Sequence, residues 1–198
     1  SGEAEVLMTR GRRTAELKLL SESTTPPPAV DVVLVQAIPR EQKMDLVIQK
    51  ATELGVTHIF PVTTTHVVVH VKADKAEAKK SRWDKIALNA TKQCGSDWLP
   101  EIHALQTLPD FLQNTSLEGC CVVCSLAPGS KPLKDVLQAV EACSRVTAVV
   151  GPEGDLTPDE LQALEKAGAV PVSLGCSVLR AETAAIYVLG AVRYELGE

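Results

Sequence analysis

The chain has 198 residues, of which 45% are hydrophobic and only 3% aromatic, and it carries a formal net charge of −5. That length holds one full domain and part of a second, with a core built from Val, Leu, Ile and Ala rather than from rings. The acidic balance excludes indiscriminate coating of nucleic acid, no stretch nears the roughly 18 apolar residues of a membrane helix, and no charged-then-apolar opening suggests secretion.

The first segment differs from the rest. Glu3 to Thr9 and Thr14 to Leu20 have strand character, and Arg10-Gly11-Arg12-Arg13 between them reads as a hairpin turn. A lone hairpin is marginal in water, so residues 1–25 are expected to belong to a small β domain whose other strands are missing here. Pro26-Pro27-Pro28 makes residues 26–30 a stiff linker.

From residue 31 strand and helix alternate. Asp31 to Ile38 is a nearly continuous apolar strand stopped by Pro39. Residues 41–54 put Met44, Ile48, Ala51 and Leu54 on one helical stripe, with Gly55 as the stop. Thr57 to Val62 is a second strand. Residues 75–94 form a long helix with Trp83, Ile86, Ala87, Ala90 and Cys94 inward, followed by a short strand over Glu101 to Leu105 and a brief helix near 109–114. Gly119 to Leu126 is a strand, Pro132 to Ala142 a helix with Leu133, Val136, Leu137 and Val140 on one side, and Arg145 to Val150 a strand. Thr157 caps the next helix, Pro158 takes its first turn, Glu160 completes a capping box, and Gly168 ends it. Val170 to Leu174 is the last strand and Arg180 to Leu196 the closing helix. The pattern predicts an α/β domain of about six strands, with unbroken apolar runs that suit a parallel sheet covered on both faces.

Six cysteines are present, two of them, Cys121 and Cys124, at C-x-x-C spacing. That spacing suits redox chemistry or half a metal site. Here it falls inside an apolar run, where the two residues of a strand point to opposite faces. The cysteines therefore read as small buried hydrophobes in a reduced cytoplasm. His58, His66, His70 and His103 are scattered through strand-like segments. They read as polar surface or satisfied core residues, and no metal is expected. Positive charge gathers at Arg10, Arg12 and Arg13 and again at Lys72, Lys75, Lys79, Lys80, Arg82 and Lys85. Such clusters make either a local face for phosphates or a solvated helix surface.

In open α/β sheets ligands bind beyond the carboxyl ends of the strands. Two loops there carry unusual residues. Val150-Gly151-Pro152-Glu153-Gly154-Asp155 joins a strand to a capped helix, with glycines that let a backbone approach a ligand and one carboxylate. Leu174-Gly175-Cys176-Ser177-Val178-Leu179-Arg180-Ala181-Glu182-Thr183-Ala184 also runs from strand to helix. Each loop alone has a plain structural reading: a Gly-Pro turn in the first, and helix capping by Thr183 or Glu182 in the second. Two such loops on successive strands converge on one crevice. The dinucleotide fingerprint and the phosphate loop are both absent.

Four segments, taken together in order and spacing, resemble the bacterial 16S ribosomal RNA (uracil-N3)-methyltransferase family of the SPOUT, or trefoil-knot, superfamily. They are Lys43-Met44-Asp45-Leu46-Val47-Ile48-Gln49-Lys50-Ala51-Thr52-Glu53-Leu54-Gly55-Val56; Gln93-Cys94-Gly95 with Pro100-Glu101-Ile102; Gly151-Pro152-Glu153-Gly154; and Leu174-Gly175 with Leu179-Arg180 and Glu182-Thr183-Ala184. The resemblance implies a homodimer with a C-terminal trefoil knot over residues 31–198, preceded by the remnant of a PUA-like β domain in residues 1–25. It implies S-adenosyl-L-methionine as cofactor, held by Ser125, Leu126, Val150, Gly151, Pro152, Glu153, Gly154, Leu174, Gly175, Cys176, Val178, Leu179, Thr183 and Ala184. It implies 16S rRNA or the small ribosomal subunit as partner, met by Arg10, Arg12, Arg13, Arg82, Lys85, Lys92 and Gln93. Uracil N3 is a poor nucleophile while protonated. A carboxylate base and a guanidinium would serve the reaction, with Glu153 or Glu182 as base and Arg180 as stabiliser.

This sequence departs from the family pattern at Ser96, His66-Val67, Ser177, Ala181 and Asp155, several of them where the family carries arginine. Two other readings stand beside the first: a knotted methyltransferase acting on another RNA such as tRNA, and an inactive RNA-binding ribosome-assembly factor. A flavodoxin-like nucleotide binder is a third, opposed by the missing phosphate loop and the few aromatics.

Overall fold

The structure, a computed structural model, describes residues 2–10, 14–22, 24–40, 43–66, 73–140 and 143–196. Arg12, Arg13, His70 and Lys72, named in the sequence analysis, lie outside the described residues.

The first two strands, β1 (Gly2–Arg10) and β2 (Thr14–Glu22), pair antiparallel in a sheet of their own, with register shifts at Glu3/Ala4 and Val6/Met8. The hairpin expected there is present, two residues longer at its far end. Pro26, Pro27 and Pro28 are exposed and border a groove with Trp98 and Arg193.

The remaining strands form one sheet: β3 (Asp31–Ala37), β4 (His58–Thr63), β5 (Glu101–Ile102), β6 (Gln106–Thr107), β7 (Cys120–Cys124), β8 (Lys131–Pro132), β9 (Arg145–Val150) and β10 (Val170–Ser173). Their order is β5-β4-β3-β9-β7-β10-β8, with β6 also on β4, and every pairing is parallel. Sequence periodicity predicts six of these eight. The other two, β6 and β8, are two-residue pairings that leave no period to read. The central strands β3, β9 and β7 are buried almost throughout, as a sheet covered on both faces requires.

Helices α1 (Lys43–Glu53), α2 (Ala73–Cys94), α4 (Leu133–Gln138) and α6 (Ala181–Leu196) cover one face, and α3 (Leu108–Asn114) and α5 (Pro158–Lys166) the other. Met44, Ile48, Trp83, Ala87, Leu137, Ala185 and Val188 meet Leu34, Val122 and Ala148 in the first core. Phe111 and Leu164 meet Val33, Val35 and Val149 in the second. Cys121 and Cys124 fall in different cores, as strand alternation predicts, and burial pushes both thiols up to about 12. Such thiols are inert.

Three expectations shift. Cys94, expected inward, is exposed: it ends α2, its thiol donates to the Thr91 carbonyl at 3.6 Å, and the chain turns off at Gly95. Leu54 lies just past α1, where its N–H still bonds to the Lys50 carbonyl. Helix α4 stops at Gln138 instead of running toward Ala142, because Val140 N–H turns back to the Leu137 carbonyl.

A cleft at the carboxyl ends of three strands

Strands β9, β7 and β10 are neighbours, and the chain segments leaving them border one open cleft with a cavity volume of about 100 Å³. Each segment is shaped by local hydrogen bonds. After β7, Ser125 N–H continues the ladder to the Val172 carbonyl, and Ser125 Oγ accepts from Ala127 N–H at 3.0 Å. After β10, Ser173 Oγ accepts from Gly175 N–H and donates to its carbonyl, and Gly175 has φ 123°. That angle is in the region side chains avoid, so glycine is needed there.

After β9 the loop is tied from several sides. Asp155 N–H closes a turn on the Pro152 carbonyl, and Asp155 itself takes a left-handed φ of 60°, its Oδ1 accepting from Leu156 N–H at 2.8 Å. The capping box at Thr157 and Glu160 is formed as predicted. Glu160 also accepts from Thr65 N–H at 2.7 Å and from the Thr65 hydroxyl. Burial alone would raise the Glu160 carboxyl; the N–H and hydroxyl donors of Thr157 and Thr65 outweigh it and hold the group below the usual carboxylate range. His66 closes this corner, with Nδ1 3.0 Å from the Asp155 carbonyl and its ring against Gly154.

Of the residues predicted to hold a cofactor, Ser125, Leu126, Val150, Gly151, Pro152, Glu153, Leu174, Gly175, Val178, Leu179 and Ala184 line the cleft. Gly154, Cys176 and Thr183 do not: Gly154 faces His66, and Cys176 and Thr183 are exposed. The lining also includes Cys124, Asp155, Ser177 and Ala181, which the sequence analysis left out. Leu126 and Val178 are 61% and 76% exposed. Large side chains left open at a concave site supply an apolar wall for a ligand.

The predicted catalytic residues separate into two groups. Glu153 and Glu182 are drawn together by one cation, with Lys43 Nζ 3.6 Å from Glu153 Oε1 and 3.5 Å from Glu182 Oε1. Glu153 further accepts from Arg40 N–H, at 2.9 and 3.1 Å to its two oxygens. Glu182 Oε2 is buried and has no hydrogen-bond partner among the described residues. Lys43 carries no predicted role. A signal did exist: it opens α1, where the macrodipole disfavours a cation, so a lysine there asks for carboxylate partners. Arg180 sits one residue before α6, its carbonyl accepting from Ala184 N–H. Its side chain is exposed, without an ion-pair partner among the described residues, and it does not line the cleft.

The predicted RNA contacts lie elsewhere. Arg10 ends β1. Arg82, Lys85, Lys92 and Gln93 are exposed on α2, at spacings that keep them near one side of the helix. Arg82 pairs with Asp45 of α1, and Arg82 and Gln93 border a groove between the two helices with Gln49 and Asn89.

An open parallel sheet with an apolar-walled cleft beyond the carboxyl ends of adjacent strands defines an α/β protein that takes a small organic ligand at that end. A model of the RNA methyltransferase domain matches residues 26–193, and the chain belongs to that family. It is 31% identical over 185 residues to ribosomal RNA small subunit methyltransferase E of Mycobacterium tuberculosis, covering 92% of this chain and 70% of that protein. The Bacillus subtilis protein of the same name is 31% identical over 171 residues, covering 84% of this chain and 66% of the relative. Among solved structures, a ribosomal RNA small subunit methyltransferase E from Neisseria gonorrhoeae, bound to S-adenosyl methionine, superposes with a TM-score of 0.85 at 29% identity, covering 98% of this chain and 78% of that one. A Legionella pneumophila protein solved with bound SAM superposes at 0.84, also at 29% identity, covering 96% of this chain and 77% of that one.

Proposed function

We propose that the chain methylates N3 of a uridine in 16S rRNA of the small ribosomal subunit, with S-adenosylmethionine as donor. The observation that carries this reading is the cleft itself. Its lining coincides with most of the residues that the family resemblance assigns to the cofactor, and relatives that carry the small-subunit methyltransferase name share the fold around it. The residues present fit such a ligand: Leu126, Val178 and Leu179 offer apolar surface, and Gly151 and Gly175 let main-chain groups come close.

When bound, S-adenosylmethionine supplies an electrophilic methyl group. The chain's own residues supply positioning and proton handling. Removal of the N3 proton falls to Glu153 or Glu182. Lys43 holds Glu182 beside Glu153, which lines the cleft, and the buried, unpartnered Glu182 Oε2 is an oxygen available to accept a proton. Arg180, exposed beside the cleft, stabilises charge spreading onto the uracil oxygens once RNA is in place. Arg10, Arg12, Arg13, Arg82, Lys85, Lys92 and Gln93 contact the RNA. Residues 1–25 act as part of a PUA-like domain, 26–30 as linker, and 31–198 as a SPOUT domain whose C-terminal segment is knotted. The working form is a cytoplasmic homodimer. No helix is long and apolar enough to cross a membrane among the described residues.

Calorimetry with S-adenosylmethionine and S-adenosylhomocysteine tests the cofactor: one-site binding of both is expected, and no binding would turn the reading to a non-enzymatic RNA-binding protein. Arg180→Ala should abolish methyl transfer while cofactor binding persists; unchanged transfer removes Arg180 from the mechanism. Ser96, His66 and Ser177, standing where the family resemblance leads one to expect arginine, favour a second reading in which the substrate is another RNA. Base-resolution mapping of the methyl mark separates the two.

A further inference from the structure

The amino end of the same sheet carries a cluster that the methyl-transfer reading does not use. His58 opens β4 and pairs in register with Glu101, which opens β5. Alternate residues of a strand share a face. Glu101 and His103 therefore project on the side where His58 and Phe60 project, away from Ile59 and Ile102 in the opposite core.

His58 Nδ1 lies 3.2 Å from His103 Nε2 and 3.6 Å from Glu101 Oε2, and one ligand atom from each residue falls within 4.8 Å of the others. A tetrahedral zinc ion with bonds of about 2.0–2.1 Å separates two of its ligand atoms by about 3.4 Å. The two shortest separations bracket that edge length. A hydrogen bond between the imidazoles accounts for the first distance only. The Glu101 carboxylate stands 3.6 and 3.7 Å from the two rings, beyond ordinary hydrogen-bond reach.

The surroundings also suit a metal. Phe60 stacks on His103 with ring centroids 3.8 Å apart and planes 4° from parallel, which fixes that ring. Asp31 Oδ1 sits 4.0 Å from His58 Nε2, the nitrogen turned away from the cluster. At that distance the carboxylate favours positive charge on the ring side facing it without a direct hydrogen bond. Asp31 is in turn held by the Thr57 hydroxyl and, at 2.6 Å, by Arg145 Nε.

We propose that His58, Glu101 and His103 bind a zinc-class divalent cation, with water completing a four-coordinate shell. For His58 and His103 this departs from the expectation that the histidines are polar surface or satisfied core residues and that no metal is bound. The site lies at the end of the sheet opposite the cleft. It ties the two-residue edge strand β5 to β4, so its role is to brace the sheet edge rather than to act on RNA. Glu101 and His103 are separated by a single residue, but their partner His58 lies 45 positions before His103, a spacing no short motif contains.

The folded chain is titrated with Co2+ and Zn2+, with absorption spectra and thermal unfolding as readouts. One Co2+ per chain, visible bands of a tetrahedral nitrogen and oxygen site without thiolate charge transfer, and a Zn2+-dependent rise in Tm are expected. Glu101→Gln, at an exposed position, and His103→Gln should each weaken binding by about tenfold or more. The proposal is overturned by absent bands, by thiolate bands alone, or by affinity unchanged in Glu101→Gln. Methyl transfer is not a readout, so failure here leaves the proposed activity untouched.

Discussion

The carboxyl and amino ends of the sheet share strands and differ in what those strands release. At the carboxyl end β7, β9 and β10 open into loops with Gly151 and Gly175, leaving apolar side chains exposed and two carboxylates gathered on Lys43. At the amino end β3, β4 and β5 begin with Asp31, His58 and Glu101, whose side chains meet each other and Arg145 at once. A concave site is made by leaving surface unsatisfied, whereas the opposite end closes its polar groups on one another. Asp31 illustrates the second case: burial would raise its carboxyl, but donation from Thr57 and Arg145, with the Arg145 charge, brings it below the usual range.

Changes at one end should leave the other intact. The largest effect is expected from Gly175→Val. A side chain at φ 123° costs about 1–3 kcal/mol of strain; the free loop relaxes away from that geometry, and regaining it on binding weakens cofactor affinity by about 5- to 150-fold in calorimetry. Metal binding at the amino end should not change, and if both fall together the ends are not independent. Lys43→Met removes the cation shared by Glu153 and Glu182; losing charge-assisted contacts worth about 1.5–3 kcal/mol should slow single-turnover methyl transfer by at least about tenfold, with cofactor affinity nearly unchanged. A normal rate would deny Lys43 any part in holding the carboxylates.

Smaller effects concern the loop after β9. Thr157→Ala deletes half of the capping box and should lower stability to urea by about 0.5–2 kcal/mol. Glu160 is depressed in the folded state, so its stabilising contribution is fully present above the unfolded carboxylate range and is lost as pH falls through the lower folded value. Glu160→Gln should accordingly flatten the acid side of the stability curve below about pH 4.5. A curve that keeps its slope would mean that Thr65 and Thr157 do not hold the carboxylate as described.

The legible parts of the fold are those with a period. The apolar runs of β3, β7 and β9, the stripe of Met44, Ile48 and Ala51, and the Thr157 box can each be read from a few neighbours in sequence. The pairings of Gln106 and Lys131 run over two residues each, too short for a period. In the cleft, Gly151 and Gly175 are legible together because each follows a strand end and the two loops converge on one crevice. Asp155 and Ser177 are ordinary loop residues and Ala181 opens α6; their place on the lining depends on how the two strand-to-helix segments lie side by side.

By itself the sequence determined the class of the fold, the order of its elements and the two loops where a ligand would bind, because hydrophobic period, capping and glycine placement are local properties. Only the tertiary structure decided which groups meet. Lys43 reaches two carboxylates far along the chain, and His58 faces His103 because β4 and β5 pair in parallel, in register. Ion pairs and metal-ligand clusters depend on distances of a few ångströms between strands and helices. Those distances are set when the sheet assembles its strands out of chain order, a step that no short window of sequence contains.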